Sequence, residues 1–287
     1  MEKIAIVTDT NSGISKKKAE KYGVFVLPMS FNVDGVQYYE GVDLSHNDFF
    51  AMQESGAKIF TSQPAPGEVM ELWDEILKTY DTIIHIPMAG GFSSSLSTAT
   101  MLADDYDGKV IVIDNQRVAI SEKQAVLDAK AMADAGMSAT EIRNKLVFHK
   151  DDAVIYMLVD DLKYLKAGGR ISPAAAAMGT VLNIKPVLSV NSGVIAPVSK
   201  VRGTRAGKKE LFACIEKDME NKFHDTDPSH YHFYTAAALR RDDAIAWNDE
   251  VEERFGVKCQ IEAIPLSVCA HVGIGTFGLS ICRKLDI

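Results

Sequence analysis

The run KIAIVTD (residues 3–9) decides the architecture of the first half of the chain. It is apolar through its middle and polar at its end, which is how a strand buried on both faces of a parallel sheet reads. VFVLP (24–28), TIIHIP (82–87) and KVIVID (109–114) repeat the pattern. Helical segments lie between and after these runs. PGEVMELWDEILKTY (66–80) places Val69, Leu72, Trp73, Ile76 and Leu77 on one face. SHNDFFAMQESG (45–56) and SATEIRNKLVFHK (138–150) open on capping pairs, Ser45 with Asp48 and Ser138 with Glu141. SSLSTATMLADDY (94–106) and AISEKQAVLDAKAMADAG (119–136) complete the set. Strand alternating with helix predicts an α/β fold, a parallel sheet with helices on both faces. FNVDGVQYYEG (31–41) adds a hairpin turning at Asp34-Gly35.

The second half has a different rhythm. AVIYMLV (153–159) reads as a strand, and SPAAAAMGTVL (172–182) as a helix with Ser172 as N-cap and Pro173 at its first position. KPVLSV (185–190) and VIAPVSKV (194–201) flank Asn191-Ser192-Gly193 as a second hairpin. A long helix over 204–221, a helix near 242–255, and strands in YHFYTAAAL, KCQIEAIPL and GTFGLSICRKL follow. The sequence therefore predicts two domains: residues 1–150 as a parallel α/β domain, and 151–287 as an α+β domain with a mixed sheet.

Composition narrows the function classes. Apolar residues make up 47% of the 287, enough for sizeable cores. The opening MEKIAIVTDT lacks the charged and long apolar regions of a signal peptide, and no apolar run reaches membrane-span length. The four cysteines show no C-x-x-C spacing, so reduced thiols in a cytoplasmic protein are expected. No H-x-x-x-H pairing occurs, and neither a metal nor a cofactor is expected. A net charge of −8 argues against general nucleic-acid binding. Yet Leu162–Lys209 contains nine basic residues and no acid. Such a stretch is either a docking face for an anionic group or partner, or a solvated surface.

In parallel sheets ligands bind beyond the carboxyl ends of the strands. Here those ends are TDTNSG (8–13), PMAGGFSSS (87–95) and DNQR (114–117), and TSQPAP (61–66) precedes a helix that can join the same rim. Gly90 and Gly91 allow close backbone approach, and Ser93, Ser94 and Ser95 open a helix. That pattern makes an anion site, or simply a capped helix. His271, in AHVGIGTFG (270–278), is an imidazole in apolar, glycine-rich surroundings. It is either a ligand or a hydrogen-bonded core histidine. Arg170 in KAGGRIS (166–172), with Arg202 and Arg205 in SKVRGTR (199–205), suits contact with phosphate or carboxylate, or is a surface residue of a structural turn. No G-x-x-x-x-G-K-[ST] motif occurs, and GIGTFG (273–278) lacks the strand–helix context of a dinucleotide site.

VTDT, YYEGVDLS, TSQPAP, the glycine–serine loop, KAGGRIS, VRG and HVGIG occur together in an order that resembles the DegV family of bacterial fatty-acid-binding proteins. The resemblance covers essentially the whole chain, with TSQPAP and GGRIS its most specific parts. It implies two α/β domains holding one long-chain fatty acid between them. It also implies a role as the lipid-binding subunit of a fatty-acid kinase, whose separate ATP-binding subunit phosphorylates the bound carboxylate. By position, Thr61, Ser93, Ser94 and His271 would bind the carboxylate, and Arg170 and Arg202 would face the kinase subunit. Many members read Ser-Ser-Gly-Leu-Ser-Gly-Thr where this chain has Ala89 to Ser95, so Ser94 replaces a glycine; Ile274 stands where proline is common. The expected protein is thus a carrier and not an enzyme, involved in phospholipid metabolism, with room for transient contact with a membrane surface. Two alternatives stand beside it: a transferase or hydrolase acting alone on a small acid or ester through Ser93 and His271, and a lipid-sensing regulator.

Overall fold

The apolar strand runs build two cores because their side chains alternate. Ile6, Ile84 and Ile86 point to one side of the sheet, and Ala5, Val7 and Ile83 to the other. The computed structural model describes residues 2–177, 184–238 and 241–287. By contact the chain divides into two units. The first comprises Met1–Asp151 with Pro265–Ser267 and Leu285–Ile287; the second comprises Asp152–Ile264 and Val268–Lys284.

In the first unit the strands are β1 (Ile4–Asp9), β2 (Phe25–Leu27), β3 (Ser30–Val33), β4 (Val36–Tyr39), β5 (Ile59–Ser62), β6 (Thr82–Ile86) and β7 (Val110–Val112). The helices are α1 (Lys16–Tyr22), α2 (His46–Glu54), α3 (Pro66–Ile76), α4 (Ser95–Ala103), α5 (Ala119–Asp134) and α6 (Ala139–Phe148). Four strands form a parallel sheet in the order β2-β1-β6-β7. One face is covered by α5 and α6 through Val126, Ala129, Met132, Ile142 and Leu146. The other is covered by α3 and α4 through Val69, Trp73, Ile76, Ala99 and Leu102. Ser45 and Ser138 cap α2 and α6 as their spacing predicts, accepting Asp48 N at 3.2 Å and Glu141 N at 3.4 Å.

A second, antiparallel sheet, β4-β3-β5, stands beside the parallel one in sequence. The hairpin turns at Asp34 and Gly35, both with positive φ (50° and 92°), as a tight two-residue turn requires. β5 is a departure from the sequence reading, which placed no strand before TSQPAP's helix. Thr61 and Ser62 instead end a strand paired with β3, Thr61 opposite Phe31. The alternating segment Ile59–Ser62 carries the β-branched and aromatic residues that favour strand.

In the second unit the strands are β8 (Ala153–Leu158), β9 (Ile184–Asn191), β10 (Val194–Arg202), β11 (Tyr231–Ala237), β12 (Cys259–Ala263) and β13 (Phe277–Arg283). The helices are α7 (Lys163–Gly168), α8 (Pro173–Ala176), α9 (Thr204–Asn221), α10 (Arg241–Phe255) and α11 (Leu266–Val272), the first two residues of α11 being counted with the first unit. The sheet order is β10-β9-β8-β13-β11-β12; every pairing is antiparallel except the parallel β11–β12, so the sheet is mixed as expected. α9 and α10 bury Leu211, Ile215, Met219, Trp247 and Val251 against it. Trp247 Nε1 donates to the Gly278 carbonyl at 3.0 Å, so its one polar atom is satisfied inside the core. Of the helix expected over 172–182, residues 178–182 lie outside the described residues. α11 is a second departure: the strand read through 258–266 stops at Ala263, and Pro265, which has no N–H to donate, precedes the helix. All four cysteines are free thiols and buried. Among the described residues no helix is long and apolar enough to cross a membrane.

Candidate functional site

The carboxyl ends of β1, β6 and β7 are laced together by a buried polar network. Asp9, at the end of β1, accepts Asn11 N at 2.9 Å and Met88 N at 3.2 Å, so it fixes the start of the loop that carries Ser93. On the other side of that loop, Ala89 N donates to the Arg117 carbonyl at 2.8 Å. The Arg117 guanidinium in turn donates to the His149 and Lys150 carbonyls at 2.6 and 3.3 Å. Burial pushes the Asp9 carboxyl up to about 6. Glu122, on α5, accepts the Thr8 hydroxyl at 3.1 Å; burial, and then the charge of Asp9, hold its carboxyl well above the usual carboxylate range.

Within this frame the two polar motifs of the first unit are joined. Gln63 and Thr98 form a reciprocal pair, Gln63 Nε2 donating at 3.1 Å and the Thr98 hydroxyl donating back to Gln63 Oε1 at 3.2 Å. TSQPAP is thereby tied to α4, the helix that GGFSSS opens. Pro64 is buried and Pro66 starts α3, so the prolines stiffen the link. Thr61 is half-buried at the end of β5. Ser93 is half-buried and, one residue before the N-cap Ser94, accepts Ser95 N at 3.1 Å in a local turn. A hydroxyl that accepts still has its O–H to donate, so this turn contact and ligand binding are compatible. Ser94 is exposed immediately before α4 and makes no side-chain cap. Gly90 is glycine for space: a Cβ there would stand 2.8 Å from Leu96 Cδ2.

YYEG contributes a residue that sequence reasoning missed. Glu40 is buried, and its two oxygens accept Thr10 Oγ1 at 3.1 Å, Ser267 Oγ at 2.6 Å, Ser267 N at 3.4 Å and Leu266 N. It caps the first turn of α11. Burial outweighs these donors and raises its carboxyl to about 7. Nothing in the local sequence distinguishes Glu40 from a surface acid; the signal was its position inside a recurrent motif.

In the second unit the structure brings His271 and Arg170 together. His271 is the penultimate residue of α11, half-buried, and packs against Gly168 at the end of α7. Arg170 Nη1 donates to the Gly168 carbonyl at 2.6 Å. Burial and, second, the charge of Arg170 push His271 down to about 4, so its imidazole is neutral at neutral pH. Arg202 is exposed at the end of β10, the edge strand of the sheet. The acid-free stretch is less uniformly basic than its sequence reads. Lys185 pairs with Asp160, Lys208 with Glu250 at 2.6 Å, and Lys163 with Asp161 at 3.6 Å, all acids from outside the stretch. Among the described residues no three His, Cys, Asp or Glu side chains group as metal ligands.

Residues 3–284 match the family model described as "DegV family". A DegV domain-containing protein of Caldanaerobacter subterraneus is 35% identical over 206 residues, covering 71% of this chain and 74% of its own length. Two solved structures share the fold at 26% identity. A fatty-acid-binding DegV family protein of Thermus thermophilus superposes with a TM-score of 0.89 over 98% of this chain and 100% of its own. DegV of Bacillus subtilis, a fatty-acid-binding protein, superposes with a TM-score of 0.86 over 99% of this chain and 100% of its own.

Proposed function

This chain belongs to the DegV family, and on that premise we propose that it binds one long-chain fatty acid and presents its carboxylate to a separate ATP-dependent fatty-acid kinase subunit, which forms the acyl phosphate. The observation that carries the reading is the likeness, over 98% of this chain, to a fatty-acid-binding structure. Thr61, Ser93, Ser94 and His271 are the proposed carboxylate ligands, and Arg170 and Arg202 the residues that face the kinase subunit.

The donor set suits that task. An acyl chain gains about 0.8 kcal/mol per buried methylene, but its carboxylate needs hydrogen-bond donors to leave water. Three hydroxyls and an imidazole kept neutral by burial supply them without an opposing charge. A carboxylate held in this way keeps its nucleophilicity. One oxygen attacks the γ-phosphorus of ATP on the partner, the bond from that phosphorus to the β–γ bridging oxygen breaks, and ADP leaves with the electron pair. A bidentate arginine on the same carboxylate would oppose the attack.

Organic extraction of the purified protein followed by mass spectrometry tests the reading, with about one equivalent of a long-chain fatty acid expected per chain on this one-ligand model. No co-purifying lipid together with no uptake of added oleate would sink it. Turnover of an ester or acid by the isolated protein would point to an enzyme instead.

A further inference from the structure

KAGGRIS contains two adjacent glycines that are glycine for different reasons. Gly169 follows the last residue of α7 with φ +67°, the left-handed conformation that closes a helix, and a Cβ there would meet nothing within 4 Å. Gly168 has no positive φ, so its backbone accepts any residue. The constraint on it is steric. A Cβ on Gly168 would stand 2.0 Å from His271 Nδ1, 2.8 Å from Cε1 and 3.3 Å from Cγ. The Nδ1 edge of the imidazole occupies the place of the missing side chain.

The residues after His271 leave the ring little freedom to shift. HVGIG runs along the same segment by close backbone approach. A Cβ on Gly273 would stand 2.2 Å from the Tyr164 ring, and one on Gly275 2.8 Å from the Asp160 carboxyl. Asp160 is itself paired with Lys185. The Gly168 carbonyl accepts Arg170 Nη1 at 2.6 Å, a local contact from an exposed side chain two residues on. Two contacts on α7, at Gly168 and Tyr164, and a third at Asp160 just before it thus register the end of α11, which bears His271, and the turn after it.

We propose that Gly168 is the positioning residue for His271: the side chain it lacks sets where the imidazole stands. The inference rests on the reading that His271 binds the fatty-acid carboxylate. An alanine at 168 forces the ring away by about 1.0 Å to reach 3.0 Å, and by about 1.4 Å to reach ordinary contact at 3.4 Å. A hydrogen bond of about 2.9 Å lengthened by that much exceeds 3.5 Å and is lost. Binding constellations tolerate only about 0.5 Å of misplacement.

The test uses the whole chain, with oleate as the probe and the His271 ring signals in the NMR spectrum of lipid-free protein as a second readout. Gly168→Ala is expected to move the ring signals and to weaken oleate binding about tenfold or more, the loss of one hydrogen bond to a charged group. In a His271→Ala background the ring is gone and the methyl fits, so Gly168→Ala is expected to change oleate binding less than about twofold. Unmoved ring signals, or an equal loss of binding in both backgrounds, would overturn the proposal. If Gly168→Ala fails to fold, the double variant decides: recovery of folding supports the steric assignment and continued failure overturns it. If the ring signals move while His271→Ala alone binds oleate normally, the positioning stands and the carboxylate-binding role of His271 falls.

Discussion

Glu122→Gln is expected to stabilise the first unit at neutral pH and to do nothing near pH 4. Glu122 is fully buried; its Oε1 accepts the Thr8 hydroxyl at 3.1 Å, and its Oε2 has no hydrogen-bond partner among the described residues. Its folded carboxyl lies well above 4.5, raised by burial first and by Asp9 second. The unfolded chain ionises it near the ordinary value. The stabilising contribution of such a group is complete below the unfolded pKa and is lost as pH rises toward the folded one, because the folded state alone still binds the proton. The loss runs at about 1.4 kcal/mol per pH unit until the folded group ionises. Glutamine has the same shape, accepts the Thr8 hydroxyl with its carbonyl and carries no proton to lose. The variant should therefore match the parent at pH 4 and gain on it by about 1.4 kcal/mol for each pH unit above the unfolded pKa for as long as folded Glu122 keeps its proton. Urea unfolding followed by fluorescence measures this in a Trp247→Phe background, where Trp73, buried in the first unit, is the one tryptophan left. A difference that stays flat between pH 4 and 6.5, or that favours glutamate at the higher pH, would refute the reasoning by showing that folded Glu122 is ionised.

Three further outcomes follow from named contacts. Ser93→Ala should weaken fatty-acid binding about tenfold or more, the worth of a hydrogen bond to a charged acceptor, whereas Arg170→Ala should spare fatty-acid binding at neutral pH and impair phosphorylation by the kinase subunit; loss of lipid on Arg170→Ala would break that division of roles. Gln63→Ala should cost about 1 kcal/mol of fatty-acid affinity by freeing TSQPAP from α4, and Thr98→Val should add little once Gln63 is gone; additive losses in a calorimetric double-mutant cycle would contradict the pairing. Gly207→Ala puts a methyl 2.4 Å from both δ carbons of Leu158. Overpacking of about 1–3 kcal/mol should exceed the gain in helix propensity of up to about 1 kcal/mol, so Trp247 fluorescence in a Trp73→Phe background should report earlier urea unfolding, and later unfolding would show the core yields.

The strands of the parallel sheet were legible because they are buried on both faces, which leaves nothing but apolar residues along Ala5–Val7 and Ile83–Ile84. The hairpin at Asp34-Gly35 was legible because a turn with two positive φ values admits few residues. β5 and α11 were not. Each is short, and each takes its hydrogen bonds from far along the chain, β5 from β3 and the first turn of α11 from Glu40. The buried acids were invisible for a related reason. Acids read as solvent-facing in any local window, and α5 defeats a helical-wheel reading because Glu122, Lys123 and Gln124 are all buried at its start. The basic stretch misled in the opposite sense. Its gap in acids is real, but the fold brings Asp160 and Glu250 to it from outside.

On the proposed reading, the charges of the second unit have a direction. An imidazolium beside the carboxylate would bind the fatty acid more tightly and make it a poorer nucleophile. Burial and the Arg170 guanidinium both push the other way, holding His271 neutral with a value near 4. The arginine therefore acts on the carboxylate's partner and not on the carboxylate. When an anionic surface of the kinase subunit engages Arg170, it cancels the smaller of the two causes, while burial, the larger, remains. The imidazole should then stay neutral through docking. The His271 ring signals should show the neutral form at pH 7 both in the free protein and with the kinase subunit bound, and the appearance of imidazolium on docking would reverse the argument.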